Sequence, residues 1–133
     1  MIVWDETMST GVSIIDEQHK MLFQKFNDFS AAMSGMTARE TAGEVLDFIQ
    51  FYTIWHFGQE EQYMTECHCP VAAKNKKAHA EFKKTFGQFY TQWQSGTMTA
   101  ELAAKTYTEL EHWLVNHIQK IDVQLHKYVN STD

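Results

Sequence analysis

Apolar residues recur at three- and four-residue intervals along most of this chain, the period of helices that bury one face. Phe23, Phe26 and Phe29 mark the first stripe, in a helix expected from about Asp16 to Ser34. Gly35 falls where a helix C-terminus is expected. Thr37 and Glu40 then form a T-x-x-E capping box that opens a second helix. That helix carries Val45, Leu46, Phe48, Ile49, Tyr52, Trp55 and Met64 and ends before "CHCP". Pro70 marks the entry to a third helix, with Phe82, Phe86, Phe89 and Trp93 on one stripe. After the break "QSGTMT", Thr99 is placed to cap a fourth helix that runs to about Val129. An N-terminal arm, roughly residues 1–15, offers Trp4, Val12, Ile14 and Ile15 to the core. No segment alternates as a strand would. Helices of about twenty residues with short connections predict one all-α domain over residues 1–133, an up-down-up-down four-helix bundle with an N-terminal arm.

Composition agrees and excludes several functions. A chain of 133 residues that is 44% hydrophobic is large enough for one core. One proline and six glycines favour long helices over a turn-rich β fold. A net charge of −6 with no basic run argues against nucleic acid as a partner. No stretch is apolar for long enough to span a membrane, and the N-terminus lacks a secretory pattern. Cys67 and Cys69 in "ECHCP" read as two reduced thiols in a loop of a cytoplasmic protein.

Several polar residues interrupt the apolar stripes. His19 precedes Leu22 and Phe23 by three and four residues, near an inward face. His56 and Glu60 are one turn apart, so about 40° of rotation separates them and both reach one point. His117 lies between Leu114 and Ile118. A lone histidine in such a stripe is more often a hydrogen-bonded core residue than a ligand. Four of them, one from each helix including His79, shift the balance, because a bundle brings the inward faces together. Burying Glu60 and Asp122 with no cation costs several kcal/mol each or forces protonation. Imidazole with carboxylate suits iron, manganese or zinc, and the residues do not choose among them.

These segments together resemble the bacterial hemerythrins, non-haem di-iron O2-binding four-helix bundles. "GVSIIDEQHKMLF" looks like the family's arm and first ligand helix, and "HFGQEEQYM" is similar to its H-F-x-x-E-E-x-x-M signature. "HAEF" matches the second half of an H-x-x-x-H-x-x-F segment, and "WLVNHIQKID" matches W-L-x-x-H-I-x-x-x-D. The resemblance implies that His19 and His56 ligate one iron and His79 and His117 the other. Glu60 and Asp122 would bridge them, with an oxo or hydroxo group as third bridge. It also implies that O2 is the ligand, taken up reversibly as hydroperoxide for storage, delivery or sensing, without enzymatic turnover. Leu22, Phe57, Leu114 and Ile118 would line the O2 pocket, although each also reads as ordinary core. The His117–Asp122 spacing leaves about 140° on an ideal helix, so a local distortion such as a π-bulge, or a metal reached from both sides, is expected.

One position departs from the pattern. The family's third helix supplies two histidines one turn apart, and the first falls on Asn75. An amide oxygen is a weaker donor on a shorter side chain, so one iron is expected to lose a ligand, leaving a vacancy or a water held by Asn75. His68 is the nearest replacement in this segment, whereas His112 and His126 read as structural or exposed. An open position favours a second reading, a di-iron or mono-iron redox protein acting on peroxide or NO with weak peroxidase-type activity. A metal-binding or sensing module is a third. A monomer is expected.

Overall fold

The computed structural model describes residues 2–34 and 39–129. Its long helices are α1 (Ser13–Ser34), α2 (Arg39–Glu66), α3 (Ala72–Ser95) and α4 (Ala100–Lys120), followed by a short α5 (Leu125–Val129). Each long helix packs on the next, and α1 meets α4 to close the bundle. Among the described residues there is no strand. Thr99 caps α4 as its spacing predicts, its hydroxyl accepting from the Leu102 N–H at 3.1 Å. Gly96 ends α3 in the left-handed region at φ 75°. The proposed Gly35 break and Thr37, the cap residue of the proposed Thr37–Glu40 box, lie outside the described residues.

Two boundaries differ from the sequence reading. Helix α1 begins at Ser13, a turn before Asp16. Asp16 is not the first residue of the helix but its anchor to the arm: its carboxylate accepts from the Thr10 N–H at 2.9 Å and hydroxyl at 2.8 Å, and from Ser9 Oγ at 3.0 Å. Ile14 then points to solvent at 63% exposure, while Val12 and Ile15 are buried. The arm is held further along by reciprocal bonds between the Asn27 amide and the Ile2 backbone at 2.9 and 2.8 Å. Finally, the last helix is not continuous to Val129. It stops at Lys120, and Asp122–Gln124 form a 3-10 turn before α5.

The connectivity places the polar residues at one end. In an up-down bundle the starts of α1 and α3 lie beside the ends of α2 and α4. His19, Asn75 and His79 are near such starts, and His56, Glu60, His117 and Asp122 near such ends. The opposite end is filled by aromatic packing. Phe29 meets Phe89, Trp93 and Tyr107 at centroid separations of 6.1, 5.3 and 5.1 Å. Phe26 and Tyr107 stack at 5.4 Å. That apolar half supplies the burial that offsets the polar half.

Candidate metal centre

Glu60 is fully buried near the end of α2 and divides its two oxygens between two sets of histidines. Oε2 lies 3.0 Å from His19 Nε2 and 3.3 Å from His56 Nε2. Oε1 lies 3.1 Å from His79 Nε2. Asp122 repeats the division, with Oδ2 3.4 Å from His19 Nε2 and Oδ1 3.2 Å from His117 Nε2. All six side chains are buried. Two groups of donor atoms therefore converge, each within 4.8 Å of one another: His19, His56 and Glu60 in one, Glu60, His79, His117 and Asp122 in the other.

The contacts are close without all being hydrogen bonds. His79 Nε2, His117 Nε2 and Asp122 Oδ1 sit at ion-pair distance from opposite groups, yet each lacks a hydrogen-bond partner. Buried polar atoms left unpaired in a cluster call for an ion or water. Nitrogen and oxygen lone pairs that face a common point fit a cation, and the donor set fits a divalent transition metal.

Electrostatics favour the protonation states that a metal requires at His56, His117 and Glu60, and oppose them at Asp122. Burial pushes the His117 imidazole down to about 3, helped by His79. His56 is also lowered, chiefly by burial. Both rings are thus neutral, with lone pairs free. Burial drives Glu60 upward, but the imidazoles of His19, His56 and His79 set close around it outweigh that and hold the carboxylate well below its usual range. Asp122 goes the other way, raised by burial and by the charge and hydrogen bond of Glu60. Two acids in one buried site separate in this manner because both cannot ionise cheaply without a cation.

Outer partners fix the rings. His56 Nδ1–H donates to Gln18 Oε1 at 2.6 Å and His79 Nδ1–H to Glu61 Oε2 at 3.0 Å, which turns each Nε2 inward. Phe57 lies flat on His79 at 3.8 Å, and Trp113 on His117 at 4.6 Å. Sequence reasoning did not single out Gln18, Glu61 or Trp113. Their signal was position, since Gln18 and Glu61 adjoin His19 and Glu60, and Trp113 precedes His117 by one turn.

The awkward His117–Asp122 spacing is resolved by the end of the helix rather than by a π-bulge. The Ile121 N–H still bonds the His117 carbonyl at 2.8 Å, but Ile121 adopts φ −110° and ψ −57° and the chain tightens into the 3-10 turn. Leaving the 100° step of the α-helix lets Asp122 face the same space as His117.

Asn75 is fully buried and does not lie apart from the cluster. Its Nδ2 donates to Glu60 Oε1 at 3.1 Å and to Met64 Sδ at 3.1 Å. Its Oδ1 is buried without a partner. His68, the replacement ligand considered from the sequence, does not join the cluster. It is exposed in the α2–α3 loop at φ 56° and belongs to neither donor group. His112 is exposed, and the His126 ring covers Gly11, whose φ of 77° and lack of a side chain admit it. Leu22, Phe57, Leu114 and Ile118 are all buried, as their pocket and core readings both require.

Comparison with known proteins decides the family. The family model described as the hemerythrin HHE cation binding domain matches residues 10–129. The chain belongs to the hemerythrin family. A bacteriohemerythrin of Stenotrophomonas maltophilia is 32% identical over 122 residues, covering 92% of this chain and 77% of that protein. A bacteriohemerythrin of Methylococcus capsulatus is 31% identical over 114 residues, covering 85% and 84%. A crystal structure of wild-type hemerythrin superposes with a TM-score of 0.84 at 25% identity, covering 95% of this chain and 98% of that one. Membership of the hemerythrin family implies a non-haem iron site at these clusters. Among the described residues no helix is long and apolar enough to cross a membrane.

Proposed function

We infer that this hemerythrin-family chain binds O2 reversibly at a non-haem di-iron centre, for storage, delivery or sensing, without enzymatic turnover. The observation that carries the reading is the division of Glu60 and Asp122. Each carboxylate turns one oxygen toward each of two histidine sets. His19 and His56 would hold one iron and His79 and His117 the other, with both carboxylates between them. When bound, the iron pair supplies the two electrons that O2 takes and returns.

The chain's own groups provide the setting for that exchange. Glu60 and Asp122 balance cationic charge in a space with no water contact of its own. Gln18 and Glu61 hold the rings of His56 and His79 in the ligating tautomer. Leu22, Phe57, Leu114 and Ile118 keep the surroundings apolar, which slows water entry and charge separation. Asn75 occupies the place of a further imidazole and binds Glu60 instead, so the His79–His117 side carries one nitrogen donor fewer. That observation favours a second reading, in which a more open iron reacts with peroxide or NO.

The test is a metal count with optical spectra. The protein is reduced anaerobically and exposed to O2. Two irons per chain and a visible band that reverses on removing O2 are expected. Direct conversion to the oxidised spectrum rules out the carrier and favours the redox reading. One iron per chain rules out the paired centre.

A further inference from the structure

Helix α2 carries two seams. The inner one, with Leu46, Ile49, His56, Glu60 and Met64, is buried in the bundle. The outer one runs Glu44, Phe48, Phe51, Trp55, Gly58 and Gln62, in alternating steps of four and three residues. That repeat keeps one face of a helix against a second helix along its length. Among the described residues no helix covers it. Phe51 is 72% exposed, Ile54 48%, Trp55 45% and Phe48 39%. The rings are already ordered for contact: Phe48 stacks on Tyr52 at 5.5 Å, and Tyr52 meets Trp55 at 5.5 Å. Lys25 Nζ lies 5.0 Å over Phe48 and borders the stripe. Large side chains of this kind leave about 400 Å² of apolar surface in water, an area that marks an interaction site.

Gly58 is the second observation. A Cβ at this position would meet nothing within 4 Å. Packing inside the chain therefore gives no reason for glycine, and glycine within a helix weakens it. A gap on the outer seam does have a use if another helix approaches there.

We propose that two copies of the chain pair through α2, antiparallel about a twofold axis at the level of Thr53. This pairing sets Phe48 of one copy over Gly58 of the other, Phe51 against Trp55, and Glu44 opposite Gln62. Every large ring then meets a ring or a gap, and the same contacts recur on both sides of the axis. Such self-complementarity is what an isologous interface demands. The apolar stripes of two copies bring together about 800 Å², and flanking Tyr52, Gln59 and Gln62 carry the contact to the roughly 1,000 Å² of a specific interface. The chain's net charge of −6 disfavours an anionic membrane as the occupant. On this proposal the chain is a dimer, where the sequence reading expects a monomer.

Sedimentation equilibrium of the full chain, metal-free and iron-loaded, tests the proposal. A dimer that dissociates on dilution is expected. Phe51→Glu, at a site exposed in the single chain, is expected to give a monomer with unchanged helical circular dichroism. Gly58→Leu separates pairing from folding. It is expected to raise the thermal midpoint through better helix propensity while weakening the dimer on the order of tenfold or more. A wild-type chain that stays monomeric at high concentration overturns the proposal. So does a dimer that survives both substitutions, or a monomer that binds phosphatidylcholine vesicles through the same stripe.

Discussion

Asn75→His brings a further imidazole to the centre, and the structure predicts that it destabilises the metal-free form more than the loaded one. In the metal-free chain Asn75 has no exposed surface and donates to Glu60 Oε1 and Met64 Sδ, both at 3.1 Å. Losing a hydrogen bond to a buried carboxylate costs about 1.5–3 kcal/mol. Seating a larger ring against fully buried Met64 adds about 1–3 kcal/mol of overpacking, eased by the flexible thioether. A net loss of about 2–5 kcal/mol in a chain of this length lowers the midpoint by roughly 7–18 °C. With iron bound, the new nitrogen becomes a ligand, and affinity rises on the order of 10–100-fold. The gap between loaded and metal-free midpoints then widens by about 1.4–2.7 kcal/mol, or roughly 5–10 °C. Calorimetry of both forms under anaerobic conditions measures this directly, and the rate of oxidation after O2 exposure is expected to fall. An equal drop in both forms, with unchanged iron affinity and oxidation rate, would refute the view that Asn75 stands in a ligand's place.

Other consequences follow from the outer partners, the packing and the charges. Glu61→Gln removes the carboxylate from His79 Nδ1; iron affinity measured by chelator competition is expected to fall about 10–100-fold, and no change would exclude a tuning role. Phe29→Ala, at the aromatic end, is expected to cost about 3–5 kcal/mol in denaturant unfolding while leaving the iron-to-chain ratio intact. Asp122, raised by burial and by Glu60, stabilises the metal-free fold below the ordinary aspartate pKa and loses that contribution as pH rises through its raised value. Glu60, held low, acts with the opposite sign: its contribution is present above the ordinary glutamate range and is lost on acidification through its lowered value. Iron must displace the Asp122 proton, so anaerobic loading in weak buffer is expected to release protons, and uptake to weaken as pH falls.

The bundle and the clustered residues were legible in the sequence because both rest on periodicity. A buried histidine or carboxylate stands out when the residues three and four away are apolar, as for His117 between Leu114 and Ile118. What periodicity cannot register is a helix that ends while its apolar pattern continues. Ile121 and Leu125 extend the α4 stripe, yet the backbone turns at Ile121. The only trace of that turn was the 140° conflict between His117 and Asp122, which pointed to a distortion without giving its form. Helix α2 shows a related limit. It is apolar on most of its circumference, so its pattern alone did not tell the buried Leu46 and Ile49 from the exposed Phe48 and Trp55.

On the reading that Asn75 stands in a ligand's place, a missing ligand need not be a missing structural element. The fold requires the buried Glu60 Oε1 to have a donor on the α3 side, and the amide Nδ2 meets that requirement from 3.1 Å. An apolar residue there would leave the carboxylate oxygen with less support and put the assembly of the cluster at risk. Coordination makes a different demand, a lone pair directed at a metal, and the amide has only its unpaired Oδ1 to offer. On that reading Asn75 separates two roles that one histidine would combine: support of Glu60 is kept, and nitrogen ligation is given up. Asn75→Leu distinguishes them. If support matters, this variant loses iron affinity relative to the parent chain even though neither residue is an imidazole. If the amide is a bystander, iron titration and the oxidation rate stay as they are, and the stabilising role assigned to its bond with Glu60 fails.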